Sequence, residues 1–232
     1  MGKKSSKKHI DSNKNILYNI ITNSFGGKPM NRTELKNRAK QALNGNWGSA
    51  IIAFLLYAVI VSFLSTTGVG SFVTGLITVG YISFFTNLLR GNKPTIEGSL
   101  AAITENVGTK FVATLLVMLY TFLWSLLFII PGIIKSYSYA MTSYILLDRP
   151  ELSATDALKE SEKMMDGHKM DLFILDLSFI GWILLTALTC GILTFYVEPY
   201  MMATRTAFYL ELKGTDPAPA EEAEQEIYTP EA

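Results

Sequence analysis

This sequence predicts an all-α fold, a polytopic transmembrane helical bundle of about six spans with short amphipathic surface helices, and three observations carry that expectation. Hydrophobic residues make up 49% of the 232, and they gather into long runs instead of recurring at helix or strand period. No acidic or basic side chain occurs from Asn46 to Leu89, or from Phe111 to Ile134. A span needs about 20 mostly apolar residues, so these two stretches suffice for about three. Charge is also segregated behind a formal net charge of +0. Lys3, Lys4, Lys7, Lys8, Lys14, Lys28, Arg32, Lys36, Arg38 and Lys40 crowd the first segment against Asp11 and Glu34, whereas Asp216, Glu221, Glu222, Glu224, Glu226 and Glu231 make the far end acidic.

The elements follow in chain order. Residues 1–30 are rich in Lys, Asn and Ser and are expected to form a disordered basic tail. The stretch 16–25 is too short and too polar for a signal peptide, so the first span is expected to act as the targeting signal. An amphipathic helix is expected over 31–45, with Asn31 as N-cap and Glu34 completing a capping box. Leu35, Ala39 and Leu43 recur at intervals of four, flanked by Lys36, Arg38 and Lys40. That pattern suits a basic helix lying on the membrane surface, with Trp47 at headgroup level. Spans are expected over 48–65, 72–89, 109–130, 133–147, 172–189 and 192–212, joined in hairpins by Gly68-Val69-Gly70, Pro131-Gly132 and Cys190-Gly191. The segment 133–147 is short and carries Lys135, Ser136, Ser138, Thr142 and Ser143; five spans with that segment in the interface is the competing arrangement. A surface helix over 153–166, packed on the inner face of the bundle, is expected to start on a Ser153–Asp156 capping box and to stop at Gly167. Residues 213–232 are expected to be a disordered acidic tail.

Loops set the orientation. A cytoplasmic Lys/Arg-rich start and an even number of spans put both termini and every longer connection on the cytoplasmic side, as the positive-inside rule requires. The expected location is the cell membrane, multi-pass, and the expected partners are the lipid bilayer and anionic lipid headgroups at the basic N-terminal segment, not nucleic acid. A membrane-protein partner or a second copy of the chain fits the same picture. One cysteine, Cys190, excludes an internal disulfide and any multi-cysteine metal site.

Ionisable groups inside spans are costly in hydrocarbon and face a partner or water, which singles out Lys135, Asp176, Glu198 and Arg205 as candidate binding residues. At about 1.5 Å per residue, Lys135 and Glu198 fall in the outer half and Asp176 and Arg205 in the inner half. Depth therefore pairs Lys135 with Glu198 and Asp176 with Arg205. Glu198 and Arg205, seven apart, share one face of the last span. These charges serve either as interhelical ion pairs that fix helix register or as a polar pathway for a solute. Glu198-Pro199 keeps the pathway open, because a proline frees the carbonyl four residues back, here that of Phe195. Asp176 and Glu198 lie at opposite depths and cannot flank one bond, so no catalytic pair is assigned. His168, with Asp166 and Asp171, has no metal spacing, and no phosphate loop, nucleophile elbow or HExxH motif occurs. No cofactor and no metal site are expected. Tyr137, Tyr139 and Tyr144 alternate with Ser136, Ser138 and Thr142, the composition of interhelical hydrogen bonding.

Several stretches in order, Asn31-Arg32-Thr33-Glu34-Leu35-Lys36, Gly45-Asn46-Trp47, Pro131-Gly132-Ile133-Ile134-Lys135-Ser136-Tyr137-Ser138-Tyr139, Pro150-Glu151-Leu152-Ser153-Ala154, and Gly167-His168-Lys169-Met170-Asp171 leading to Phe179-Ile180-Gly181-Trp182, resemble the bacterial membrane proteins catalogued as domain of unknown function 975. The resemblance covers about 31–212 and implies fold, location and ancestry, not an activity. More distantly, the Pro-Gly turn before a Tyr/Ser-rich span is similar to the membrane domain attached to some glycerophosphodiester phosphodiesterases, whose catalytic barrel has no room here. The expected role is a non-catalytic membrane module that supports envelope processes or a membrane complex, with a small transporter or channel component as the alternative.

Overall fold

The computed structural model describes residues 30–65 and 70–214. The basic tail, the acidic tail and most of the first hairpin turn named above lie outside the described residues. Within them the chain forms eleven helices and no strand: α1 Arg32–Leu43, α2 Trp47–Ser65, α3 Gly70–Leu89, α4 Ile96–Thr104, α5 Val107–Leu127, α6 Ile129–Ser138, α7 Thr142–Asp148, α8 Ala154–Met164, α9 Lys169–Leu177, α10 Ile180–Leu188 and α11 Thr194–Lys213. Three stretches are long and apolar enough to cross a membrane, Trp47–Leu64, Val107–Leu126 and Lys169–Leu188, and Val73–Leu89 is a shorter apolar stretch.

The last helix is buried along much of its length. Around α11, Val197, Tyr200, Ala203, Ala207, Phe208 and Leu210 are all buried, and α1, α2, α3 and α10 pack against it. Small residues at 203, 204 and 207 let neighbouring backbones approach closely. The buried hydroxyls of Thr204 and Thr206 donate to the carbonyls of Tyr200 and Met202, one turn back, so neither is orphaned. α11 runs unbroken through Pro199.

The local signals of α1 hold, and its placement does not. Asn31 caps the helix through Oδ1, which accepts from the Thr33 and Glu34 amides. Leu35, Ala39 and Leu43 are fully buried, however, because the stripe packs on α11 and α3 and not on a membrane surface. A narrow apolar stripe meets a helix as well as it meets lipid, and periodicity cannot tell the two apart.

Two expected spans are divided. The segment 133–147 is not one helix: α6 starts at Ile129, and a turn over Tyr139–Met141 separates it from α7. The hairpin break sits at Phe128, extended at φ −160° and ψ 146°, so Pro131 lies inside the first turn of α6. That position suits proline, whose missing N–H would have no partner there. α9 and α10 likewise meet at a turn at Ser178–Phe179. The stretch between the second and third spans, left without structure by the sequence, contains α4. Its C-terminal carbonyls are closed by Lys110: the buried ammonium donates to Ala102 O and Glu105 O, each at 2.6 Å. A cation at a helix C-terminus is favoured by the helix dipole, which offsets part of the cost of burying it.

The Ser153 cap of α8 forms, with Oγ accepting from the Asp156 amide, and the helix packs on α5 and α7. Ala157 and Ser161 are fully buried, and Ser161 Oγ donates to Ser138 O and accepts from the Met141 amide. That hydroxyl satisfies the backbone groups freed by the turn between α6 and α7.

Apolar side chains also form rows that face outward. On α2, Ile52, Leu55, Leu56, Val59, Ile60 and Phe63 are exposed at helical spacing, Phe63 by 72%. Ile180, Ile183, Leu184 and Leu188 form a similar row on α10, and Leu126, Phe128, Ile129, Ile130, Ile133 and Ile134 cap the α5–α6 hairpin. Monomers in water rarely expose contiguous apolar area of this extent. The hairpin depends on a close approach, since a Cβ on Gly132 would stand 2.8 Å from Ser125 Cα. Gly132→Val should therefore spread α5 from α6 and cost about 1–3 kcal/mol, read as a lowered unfolding midpoint in detergent.

Candidate functional site

A cavity of about 340 Å³ opens between α3, α6, α7, α9 and α11. Its polar lining is Thr78, Ser136, Tyr137, Ser143, Asp176 and Arg205. Met141, Tyr144, Leu172 and Met202 are among its apolar walls. The volume lies at the lower end of the range that small ligands occupy.

Arg205 and Asp176 are its chemical centre. Arg205 Nε donates to Asp176 Oδ1 at 3.0 Å and Nη2 to Oδ2 at 2.9 Å, a two-pronged pair between α11 and α9. Tyr137 OH donates to Oδ2 at 3.1 Å, tying α6 to the same carboxylate. The carboxylate thus takes three hydrogen bonds from two side chains, Arg205 and Tyr137. Arg205 has further N–H groups with no acceptor among the described residues, and its side chain is 44% exposed against 18% for Asp176. The site is close to neutral as a pair, so it suits a polar acceptor group more than a bare anion. This is the pairing that depth matching predicts.

Lys135 and Glu198 do not pair. Lys135 forms its ion pair with Glu162 of α8, and its ammonium lies 5.3 Å from the Trp124 ring centroid. The physical reason is the packing of α8, which brings a polar helix beside α6 and offers a carboxylate the span-by-span depth estimate did not include. Glu198 stays half-buried on α11, with no ion pair among the described residues, and does not line the cavity. Of the four candidates, the structure brings two together at one site and leaves two elsewhere.

A second polar centre escaped the sequence. Asp148, at the end of α7, accepts from Arg90 Nη2 at 2.8 Å on both oxygens, from Tyr209 OH at 2.8 Å and from Lys213. Burial disfavours its charged form, but the hydrogen bonds from Lys213, Arg90 and Tyr209 outweigh it and hold the carboxyl below its ordinary value. Its partners lie 58 and more residues away in the chain, so no local pattern announces them. His168 Nδ1 lies 3.1 Å from Asp171 Oδ2 at the start of α9. Among the described residues no group of three His, Cys, Asp or Glu side chains could hold a metal ion.

No curated protein and no solved structure matches this chain. The family described as "Protein of unknown function (DUF975)" matches over residues 30–135 and 126–216, which together take in every helix from α1 to α11, and the chain belongs to that family.

Proposed function

We propose that the protein is a multi-pass module of the cell membrane, of about six spans with both termini cytoplasmic, that acts by packing and association and not by catalysis, in support of envelope processes or a membrane complex. The observation that carries the reading is how the bundle uses its charges. Arg205 and Asp176, Lys135 and Glu162, and Arg90 and Lys213 with Asp148 are each matched inside the protein. Groups held this way fix how helices sit against one another and are not free to move protons. The apolar rows on α2, α10 and the α5–α6 hairpin then face lipid. The likeness to membrane domains that accompany phosphodiesterases rests on one turn and one span, and no catalysis comes with it.

Topology is tested by cysteine labelling. In a Cys190→Ala background, Glu151→Cys should react with a membrane-impermeant maleimide only after the cells are opened. Labelling of intact cells would sink the arrangement with both ends inside.

The cavity favours one second reading, a small transporter or channel component, because Arg205 donors and the hydroxyls of Ser136, Tyr137 and Ser143 converge on it. Ion flux in proteoliposomes above that of empty vesicles, abolished by Arg205→Gln, would put this reading ahead of the first.

A further inference from the structure

A second constellation lies on another face of α11, where α1 crosses the junction of α9 and α10. Lys36 Nζ sits 4.2 Å from the centroid of the Phe179 ring and 3.4 Å from the Ser178 carbonyl, to which it donates. Lys40 Nζ, one turn further, sits 5.6 Å from the Tyr200 ring. Neither ammonium has a carboxylate partner among the described residues. The acid two residues before Ser178, Asp176, is already taken by Arg205 and Tyr137. Burial, with Arg32 and Lys40 on the same row of α1, holds the Lys36 ammonium below its ordinary pKa. Like charges one turn apart repel, so a negative group between Lys36 and Lys40 would relieve that repulsion.

What surrounds the two lysines indicates the kind of group. Tyr196 stacks on Trp47 at 4.3 Å and lies 6.2 Å from Trp182. Such a cluster is the side-chain composition of a membrane–water interface. Past it, exposed apolar residues continue on both sides, Ile52 and Leu56 on α2 and Ile183 and Leu184 on α10, with half-exposed Phe195 between them. Cations, then indole and phenol rings, then bare hydrocarbon is the profile of a single phospholipid from headgroup to tail.

We propose that Lys36 and Lys40 bind the phosphate of an anionic phospholipid whose acyl chains lie over Phe195, between α2 and α10. The site rests on the membrane reading above and gives it a particular lipid class. The lysines are one helical turn apart, so one phosphate reaches both. The rings of Phe179 and Tyr200 hold the ammonium groups in place without neutralising them.

The test is native mass spectrometry of the full chain, delipidated in neutral detergent and offered equimolar phosphatidylglycerol and phosphatidylcholine. Each lysine near an anionic headgroup is worth about fivefold, so the parent should prefer phosphatidylglycerol by about 30-fold. The K36Q/K40Q double variant should lose that preference while keeping the parent's melting temperature in lipid-free detergent, and K36R/K40R should keep it. Equal retention of the two lipids by the parent, or an unchanged preference in K36Q/K40Q, overturns the site. So does a preference that vanishes in K3Q/K4Q/K7Q/K8Q, which would assign it to the basic tail. Displacement of the lipid by millimolar inorganic phosphate would identify a free-anion site and overturn the lipid assignment. Recovery of the parent in the soluble fraction after lysis would refute the membrane reading, a result distinct from each of these.

Discussion

Asp148→Ala should lower the unfolding free energy by about 2–4 kcal/mol, measured by denaturant titration in detergent. The carboxylate is 5% exposed and takes donors from Arg90, just past α3, and from Tyr209 and Lys213 of α11. Its removal leaves two cations and a hydroxyl facing one another without an acceptor. Both cations are 32% exposed, so water relieves part of the loss and the cost falls below that of a fully buried pair. Asp148→Asn keeps the shape and loses the charge, and about half the effect is expected. A pH arm checks the cause. The folded-state carboxyl lies below its ordinary value, so Asp148 contributes stability that is full above the unfolded pKa, about 3.9, and lost as pH falls through the folded value. The gap between parent and Asp148→Asn should be constant from pH 7 to about 5 and should narrow below about 4. A gap that widened on acidification would refute the assignment.

Asp176→Leu is the second large effect, about 2–3 kcal/mol, because it leaves the Arg205 guanidinium and the Tyr137 hydroxyl without their shared acceptor. Arg205→Leu should cost less, since Asp176 keeps the hydrogen bond from Tyr137. The informative variant is the exchange, Asp176→Arg with Arg205→Asp. If the pair sets how α9 and α11 sit together, the exchange recovers part of the loss, with a coupling energy of about 1–3 kcal/mol in the double-mutant cycle. Recovery stays incomplete, because Tyr137 remains on α6 and its acceptor has moved to α11. Singles that leave the midpoint unchanged would remove the structural role and leave the cavity as the reason for these charges.

Legibility in the sequence followed the range of the interaction. The start of α1 at Asn31 and the start of α8 at Ser153 were visible, because a cap is made by residues two and three positions apart. The Asp176–Arg205 pair was visible too, since both helices cross the same depth and each charge had one plausible partner. Lys135 was misassigned for the converse reason. Its true partner, Glu162, lies on a helix that the sequence sets apart from the spans, and only packing carries that helix to α6.

By composition and run length alone, the sequence predicted a helical chain with apolar runs for about six spans, and the described residues hold helices and three stretches, Trp47–Leu64, Val107–Leu126 and Lys169–Leu188, apolar enough to cross a membrane. Those are properties of consecutive residues, and a hydrocarbon environment asks for nothing more. Tertiary structure decided what the stripe of Leu35, Ala39 and Leu43 covers and where the charges meet. A stripe or a charge states that a partner is needed, and it does not say which of several equally apolar or oppositely charged neighbours will stand there. The choice among them belongs to the whole set of helices packed at once.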